Sequence, residues 1–359
     1  VVGWSGGRPP CVRLVSGAGG AAGRSRGVGQ GRGAPALGSA GAWGGGREFV
    51  FEGDEYTSAV FDPRPKFLHF APQLAVLTNI DWDHPDVFPD PAAYEAVFRQ
   101  LVEYLGPEDR LIACSDDPTV RRLLNRTRSQ TETYGLRGGA DWHGRDVTVD
   151  GEGMRFTAWH AGKVLAVVTT RLPGEHNAAN ALAALATTVR LGVPVSTAVD
   201  AIGRFHGVSR RFEVRGQVRG VTVVDDYAHN PAKVRATIQA AQERFRPGRI
   251  LACFVPHTYS RTLSLIDAYA DAFQGCALLL IGPIEPARER HLANTVSAGD
   301  LAARINGVGE VVTVDSARAA AYRLASAARP GDAIILMSVR GFDDIAGKTL
   351  EVLERSPVA

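Results

Sequence analysis

The sequence predicts an α/β protein with two successive domains, a mostly parallel sheet with an antiparallel edge followed by a doubly wound domain. Two observations lead to this prediction. Runs of β-favouring residues that end in acids alternate with segments of helical spacing, and the alternation restarts after a break near residues 207–212. This order is typical of βαβ crossovers in parallel sheets. With 359 residues, the chain is long enough to form two hydrophobic cores.

Composition and charge exclude several classes of protein. The chain is 45% hydrophobic and 22% charged with a formal net charge of +2, so neither nucleic acid nor an anionic membrane is an expected partner. No apolar run approaches the roughly 20 residues that span a bilayer. The four cysteines, Cys11, Cys114, Cys253 and Cys276, are scattered and include no C-x-x-C pair. We therefore expect a reducing, cytoplasmic location, whereas the sequence gives no indication of the oligomeric state.

The beginning of the chain differs from the rest. Its first 46 residues hold 16 of the 40 glycines and contain no Asp, Glu or Lys. Such a segment buries little apolar surface, so residues 1–30 are predicted to be a poorly ordered leader. The remaining chain is predicted to form one domain over 31–207 and a second over 208–359.

The elements of the first predicted domain follow in chain order. The F-V-F-E-G-D-E-Y stretch is a strand that runs into acids, and Asp90-Pro91 begins a helix. Between 131 and 172, short alternating runs predict strands of an antiparallel sheet edge, and Gly192 ends the helix that begins at 174. The other predicted elements are strands at 74–85 and 110–118 and helices at 118–126 and 195–205.

The second predicted domain repeats strand and helix regularly. Strand 221–225 leads into a helix whose first residue is Pro231, where a missing N–H is tolerated. The other predicted strands are 249–255, 276–281, 310–313 and 332–338, and the other predicted helices are 262–274, 298–305 and 316–327.

Acidic and imidazole side chains follow two strands of the first domain. Glu52 lies at the end of one strand, and Asp83 and His84 follow the next. Carboxylates at neighbouring strand ends are suited to a hard divalent ion such as Mg²⁺. The same acids are equally typical of solvated loops, and the spacing does not choose between the two interpretations.

Two further stretches suit a nucleotide. His176, Asn177 and Asn180 occupy the first turn of a helix, where side-chain amides can bond a heterocycle edge or simply cap the helix. Arg210 and Arg211 lie at the predicted domain boundary, where a guanidinium would contact phosphate or form an interdomain salt bridge.

The strand ends of the second domain carry the remaining candidates. Asp226, Tyr227 and His229 follow strand 221–225, where a ligand or a capped strand–helix turn would explain them. In P-H-T-Y-S-R-T (256–262), the residues His257, Tyr259 and Arg261 would line the same edge and suit an anionic substrate. The serine of this stretch is not part of a G-x-S-x-G motif, so the stretch does not indicate a hydrolase.

Six stretches in this order resemble the Mur ligases, the ATP-dependent amide-bond-forming enzymes of peptidoglycan synthesis. They are E-G-D-E-Y, T-N-I-D-W-D-H-P-D, G-E-H-N-A-A-N-A-L-A-A, R-R-F-E, D-D-Y-A-H-N-P and P-H-T-Y-S-R-T. The resemblance covers about residues 30–359. It implies that the first domain is the family's central ATP-binding domain and the second its Rossmann-like C-terminal domain.

The resemblance also implies roles for residues. Glu52 and His84 would hold Mg²⁺, and Arg211 would contact the ATP phosphates, so that Arg211 and His84 would be the catalytic pair. The adenine would contact His176, Asn177 and Asn180. The nucleotide would border Asp226, Tyr227 and His229, and the substrates would contact His257, Tyr259 and Arg261.

Within the family, the second-domain stretches are most similar to the branch that acts on UDP-N-acetylmuramate. This implies transfer of the ATP γ-phosphoryl group to the muramoyl carboxylate and attack of L-alanine on the acyl phosphate. Two alternatives stay open. One is a ligase that attaches a preformed tripeptide to the same nucleotide sugar, and the other is a non-catalytic nucleotide-binding protein. A flavin or nicotinamide oxidoreductase is disfavoured because no G-x-G-x-x-G follows a predicted strand.

The sequence departs from the family before its acidic strand. No G-x-x-G-K-S/T phosphate loop is present, the first lysine of the chain is Lys66, and no UDP-binding domain is recognised. We therefore expect an N-terminally truncated form of the enzyme. The chain as given is predicted not to catalyse ligation.

Overall fold

The computed structural model describes residues 12–17, 27–34, 39–42, 48–55, 57–59, 61–85, 87–292 and 295–355. The chain divides into two compact units. Unit 1 comprises residues 1–82 and 87–209, and unit 2 comprises residues 83–86 and 210–359. The predicted limits, 31–207 and 208–359, place residues 83–86 in the first domain, whereas the structure groups these residues with unit 2. The predicted limits stay predictions.

The predicted leader lies largely outside the described residues. Two of its segments, 12–17 and 27–30, are described and are β-strand, although no strand was predicted before residue 48. Disorder in the remainder of residues 1–30 stays a prediction.

Unit 1 is built on one large sheet. Its strands are β1 (Val12–Gly17), β2 (Gly27–Ala34), β3 (Ser39–Ala42), β4 (Glu48–Gly53), β5 (Thr57–Ala59), β6 (Asp62–Pro65), β7 (Leu74–Leu77), β8 (Arg110–Cys114), β9 (Gln130–Gly135), β10 (Trp142–Asp150), β11 (Gly153–His160) and β12 (Lys163–Thr170). The ten-stranded sheet has the order β12-β11-β10-β9-β8-β7-β1-β4-β2-β3, and β5 pairs with β6 separately. Strands β7 to β10 run parallel, and β10 to β12 form the predicted antiparallel edge. The prediction of antiparallel strands throughout 131–172 is wrong for β9, which is parallel to both of its neighbours.

The helices of unit 1 cover both faces of this sheet. They are α1 (Pro91–Tyr104), α2 (Pro118–Leu124), α3 (Glu175–Arg190) and α4 (Val195–Gly203), with a 3-10 helix at Lys66–His69. Along β7, Leu74 and Val76 belong to the core that contains α3, and Ala75 and Leu77 to the core that contains α1. Because successive side chains of a strand point to opposite faces, β7 is buried on both sides, as parallel sheets require.

Unit 2 is the predicted doubly wound domain. Its strands are β13 (Glu213–Val218), β14 (Val221–Asp226), β15 (Ile250–Phe254), β16 (Leu278–Ile281), β17 (Val311–Thr313) and β18 (Ala333–Met337). The order is β13-β14-β18-β15-β16-β17, and every neighbouring pair except β13–β14 is parallel. The α/β fold class with two domains is therefore confirmed, although β13 had not been predicted.

The helices of unit 2 follow the strands. They are α5 (Pro231–Arg244), α6 (Tyr259–Ser264), α7 (Ala298–Ala302), α8 (Ala317–Ala327) and α9 (Ile345–Arg355), with 3-10 turns at Asp267–Tyr269 and Arg290–Leu292. Asn230 caps α5 by accepting a hydrogen bond from the Lys233 amide at 3.0 Å. The helix predicted at 262–274 instead begins at Tyr259 and is interrupted, and α9 was not predicted. No helix in the described part of the chain is long and apolar enough to cross a membrane.

Candidate functional site

A cavity of about 170 Å³ opens in unit 1 at the first turn of α3. It lies at the carboxyl ends of β7, β8 and β9, where parallel sheets usually bind ligands. Its lining residues are Thr78, Asn79, Cys114, Asp116, Asp117, Pro118, Tyr134, Leu136, Arg137, Glu175, His176, Ala179 and Asn180. The polar groups around this small cavity suit the edge of a heterocycle.

Two of the three predicted adenine contacts line this cavity. His176 and Asn180 are four residues apart and therefore share a face of α3. Asn177 is buried instead, and its Nδ2 donates to the Pro173 carbonyl at 2.7 Å. Its Oδ1 has no hydrogen-bond partner among the described residues, and a buried acceptor of this kind favours a ligand or water donor nearby. The direct contact of Asn177 with adenine stays a prediction.

Acids at the end of β8 shape the cavity wall. The Asp116 carboxylate accepts hydrogen bonds from the backbone amides of Leu136 at 2.7 Å and Arg137 at 3.2 Å. Asp117 caps α2 through the Val120 amide at 2.8 Å. From the sequence, these acids were predicted only to lie at the end of strand 110–118. The role of Asp116 in fixing the cavity depends on the segment after β9, about 20 residues further along the chain.

The acidic end of β4 is partly committed to internal contacts. Asp54 pairs with the Lys66 ammonium at 2.9 Å, and buried Glu55 accepts from the Tyr94 hydroxyl at 3.1 Å. Glu52 is half-buried, and its carboxylate is a donor of the kind that Mg²⁺ prefers. Within the described ranges, no group of three or more His, Cys, Asp or Glu side chains is placed to hold a metal ion.

Unit 2 contains a buried charged cluster around Asp83, which we call the Asp83 cluster: Asp83, Asn230, Lys233 and Arg261. Asp83 Oδ2 accepts hydrogen bonds from Lys233 Nζ at 2.9 Å and Asn230 Nδ2 at 3.1 Å. Asp83 Oδ1 accepts from Arg261 Nε at 3.0 Å. All four residues are at most 3% exposed. One carboxylate thus joins two cations out of contact with water.

The two cations keep the carboxylate ionised. Burial by itself raises the pKa of the Asp83 carboxyl, but the charges of Lys233 and Arg261 outweigh it and hold that pKa well below its usual range. A buried charge that keeps its partners in this geometry is tolerated, whereas removal of one partner is strongly destabilising.

Three histidines surround the cluster. Burial, with Lys233 and Arg261 adding to it, holds the pKa of His229 well below its usual range, and its Nδ1 donates to the Tyr227 carbonyl at 2.8 Å. Burial and the Arg261 charge lower the pKa of His257 to about 4. Both rings are therefore neutral at pH 7. His84, in a left-handed conformation with φ 56°, has its Nδ1 3.2 Å from Arg261 Nη2.

The ends of β14 and of the preceding loop form a second network. Buried Asp226 accepts from the Phe212 amide and the Ala228 amide, each at 2.7 Å, so its carboxylate fixes the loop after β14. The Arg211 guanidinium lies 5.0 Å from the centre of the Tyr227 ring. The contacts predicted for Asp226, Arg211 and Tyr227 with nucleotide stay predictions.

Arg210 has a structural role within unit 2. Its Nε donates to Asp225 at 3.1 Å, and its other nitrogens donate to the carbonyls of Ser338 at 2.6 Å and Val339 at 2.8 Å. This pair lies inside one unit, unlike the interdomain salt bridge considered from the sequence.

The structure brings together several of the predicted residues. His229 and Arg261 contact Asp83, and His84 and His257 contact Arg261, while Tyr259 begins α6 nearby in sequence. Glu52 and His84, the predicted Mg²⁺ pair, belong to different units. Lys233 was not predicted as a site residue: it lies in the first turn of α5, and its partner Asp83 is distant in sequence.

Comparisons with known proteins identify relatives of both units. The family profile described as Mur ligase middle domain matches residues 48–188, and that described as Mur ligase, glutamate ligase domain, matches residues 210–340. The UDP-N-acetylmuramate--L-alanine ligase of Roseiflexus sp. is 37% identical over 84% of this chain and 66% of its own length. The enzyme of the same name from Chloroflexus aggregans is 36% identical over 89% of this chain and 70% of its own length.

Solved structures agree on the fold. The UDP-N-acetylmuramate-alanine ligase of Thermotoga maritima superposes with a TM-score of 0.71 and 20% identity, over 91% of this chain and 69% of that one. A murein peptide ligase from Psychrobacter arcticus superposes with a TM-score of 0.66 and 24% identity, over 93% of this chain and 72% of that one. The chain spans about two thirds of the length of the curated relatives above.

Proposed function

This chain belongs to the Mur ligase family, and we propose that its two domains serve the ATP-dependent joining of L-alanine to the carboxylate of UDP-N-acetylmuramate, a reaction whose turnover also requires a phosphate loop that this sequence does not contain. One observation carries the proposal. The relatives from Roseiflexus sp. and Chloroflexus aggregans, at 36–37% identity over both units, bear the name UDP-N-acetylmuramate--L-alanine ligase. Membership of the family implies ATP and a divalent cation as a general requirement.

The cavity of unit 1 supports the ATP part of the proposal. His176 and Asn180 line it and would bond the adenine edge, and Asp116 holds another part of the wall in place through backbone amides. Asn177, with its unpartnered buried oxygen, would complete this site. When bound, Mg-ATP supplies the γ-phosphoryl group that activates the muramoyl carboxylate. Glu52 and His84 would hold the Mg²⁺ ion, and Arg211 would contact the phosphates.

The strand ends of unit 2 support the substrate part. His257, Tyr259 and Arg261 would contact the anionic end of the substrates, while Asp226, Tyr227 and His229 would border the nucleotide. The Asp83 cluster holds Arg261 in one orientation before any substrate binds, because Asp83 fixes its Nε. Such fixed charges lower a barrier without reorganisation at the moment of reaction.

We also propose that the protein acts in the cytoplasm. Cys114, Cys253 and Cys276 are buried free thiols, which suits a reducing compartment where ATP is abundant.

The test is phosphate release from Mg-ATP by the purified chain with UDP-N-acetylmuramate, adding L-alanine or the tripeptide L-Ala-γ-D-Glu-diaminopimelate separately. The sequence contains no phosphate-loop lysine, so we expect no release above background from the chain as given. Release stimulated by L-alanine would support the proposed reaction and contradict the prediction that the phosphate loop is essential.

The remaining outcomes separate the alternatives. Release with the tripeptide alone would assign the chain to tripeptide ligation. If no amine stimulates release, ADP binding measured by calorimetry decides whether the chain still acts as a nucleotide-binding protein. In the part of the chain that the structure describes, no feature favours the tripeptide over L-alanine.

A further inference from the structure

Three neighbouring parallel strands of unit 2 bring two oppositely charged side chains to one edge. In the order β18-β15-β16, the segments that follow the strands contain Arg340, His257 and Glu285 respectively. His257 and Glu285 are paired by a parallel β-bridge, with the Thr258 amide donating to the Glu285 carbonyl at 2.8 Å. The Glu285 amide donates in turn to the Pro256 carbonyl at 2.8 Å. The backbone of Glu285 is therefore fixed beside His257.

Glu285 has a buried oxygen without a partner. Its Oε2 accepts no hydrogen bond from any of the described residues, and the same is true of buried Thr258 Oγ1. Burial raises the pKa of the Glu285 carboxyl, and the charges of Arg340 and Arg210 partly oppose this. Because a buried acceptor without a donor is unfavourable, this oxygen favours a ligand that brings one.

Arg340 supplies the opposite charge. Its exposed side chain forms neither a hydrogen bond nor an ion pair with another described residue, and its positive charge acts to lower the pKa of both Glu285 and His257. Arg210, the other cation that acts on Glu285, is committed to Asp225 and two carbonyls. Glu285 and Arg340 thus follow two strands of one parallel sheet that are separated by β15, and they form no hydrogen bond or ion pair with each other.

A strained turn holds the segment after Arg340. Gly341, Phe342, Asp343 and Asp344 all have positive φ, between 41° and 84°. The Phe342 ring packs over Gly282 at the end of β16, where an added Cβ would lie 3.3 Å from Phe342 Cζ. Consecutive left-handed residues persist only where the surroundings fix them, and such strain is concentrated at binding sites.

We propose that Glu285 and Arg340 form a zwitterion cradle that holds the α-ammonium and α-carboxylate groups of the incoming amino acid. The proposal rests on the proposed function and names the residues that would position its amine. The ammonium donates to Glu285 Oε2, with Thr258 Oγ1 as a second acceptor, and the carboxylate accepts from the Arg340 guanidinium. Neutral His257 adds no competing charge, and Arg261 is committed to Asp83.

The cradle predicts how each charge contributes to binding. We would titrate the 359-residue chain, labelled for NMR, with L-alanine, with propionate, which lacks the ammonium, and with ethylamine, which lacks the carboxylate. Glu285→Gln should weaken L-alanine and ethylamine binding at least about 10-fold and leave propionate unchanged. Arg340→Gln should weaken L-alanine and propionate by a similar factor and leave ethylamine unchanged.

Matched control variants exist in the same unit. Glu351→Gln and Arg329→Gln remove the same charges from exposed positions and should leave all three affinities unchanged. Unchanged melting temperatures would show that the variants fold. The proposal is wrong if wild-type chain shows no saturable L-alanine binding, or if Glu285→Gln and Arg340→Gln bind L-alanine as the wild type does.

A second ligand separates this proposal from the proposed function. In the tripeptide, the carboxyl group of the N-terminal alanine is in a peptide bond, so only the ammonium would use the cradle. Arg340→Gln should therefore weaken L-alanine binding but not tripeptide binding. If only the tripeptide stimulates phosphate release while L-alanine binding depends on Glu285 and Arg340, the proposed function is contradicted and the cradle is supported. If Arg340→Gln weakens L-alanine binding and tripeptide binding equally, the cradle is wrong.

Discussion

The cavity of unit 1 and the Asp83 cluster of unit 2 are two different solutions to building a polar site. The cavity is open, its acids are used to shape its walls, and Asn177 Oδ1 remains without a partner in the part of the chain that the structure describes. The cluster is buried, and Asp83 is bonded directly to Lys233, Asn230 and Arg261.

The difference concerns which partner completes each site. The cavity offers space and hydrogen-bonding groups that a ligand would satisfy, so its residues should contribute mainly to binding. The cluster satisfies its own charges, so its residues should contribute mainly to stability and to the orientation of Arg261. Polar residues at strand ends therefore do not all have the same role, even when they follow equivalent strands.

The largest effect is expected from removing the carboxylate of the cluster. Asp83→Ala leaves Lys233 and Arg261 buried without their counter-charge and should lower the free energy of unfolding by about 3–5 kcal/mol. Urea denaturation followed by circular dichroism measures this. In the control Asp267→Ala, which breaks an exposed pair with Arg304, the loss should stay below about 1 kcal/mol. Equal losses of unfolding free energy in the two variants would show that the buried Asp83 cluster contributes no more to stability than an exposed ion pair.

The second effect is a pH dependence of unit 2. The pKa of His257 is about 4 in the folded chain and near 6.5 when unperturbed, so the unfolded chain takes up the proton first. Stability from this group is complete above pH 6.5, is lost as pH falls toward 4, and changes no further below that. Allowing for partial exposure, the loss should be roughly 1–2 kcal/mol.

A variant isolates the contribution of His257. His257→Gln keeps an acceptor for Arg261 but does not titrate, so its unfolding free energy should depend less on pH between 6.5 and 4 than that of the wild type. The matched control, His291→Gln, replaces an exposed histidine and should retain the wild-type dependence. If both variants behave alike, His257 is not the titrating group.

The smallest effect is expected at the cavity. Asn180→Ala removes one hydrogen-bonding side chain from its lining and should weaken ADP binding about 10-fold, equivalent to about 1.4 kcal/mol, without changing stability by more than about 0.5 kcal/mol. Isothermal titration calorimetry gives the affinity. Exposed Asn125, replaced by Ala, serves as the control, and comparable weakening there would contradict the assignment of the cavity to nucleotide.

Much of the fold followed from local patterns. The strand–helix alternation, Pro91 and Pro231 at helix starts, and the short alternating runs of 131–172 predicted the elements that the structure contains. Strand β13 was missed because Glu213–Val218 contains two charged residues, a glycine and a register shift, which weaken any period-two signal. Helix α9 was missed because the strained turn before it hides its start.

The candidate site was only partly predictable. His176 and Asn180 follow from their position in a helix's first turn, since four-residue spacing places both on one face. The pairing of Asp83 with Lys233 joins residues 150 positions apart, which no local pattern can indicate. Arg340 carried no signal at all, because a single arginine after a strand is ordinary.

By itself, the sequence determined the order of most strands and helices, the two-domain α/β class and the family, because hydrophobic periodicity and short motifs are local properties of the chain. The tertiary structure alone decided which acid caps a helix, which is paired with buried cations, and which has an unpartnered oxygen. Those roles depend on burial and on neighbours from distant segments. The same carboxylate is a solvated surface group, a structural anchor or a ligand acceptor according to the charges and the water that the fold places around it.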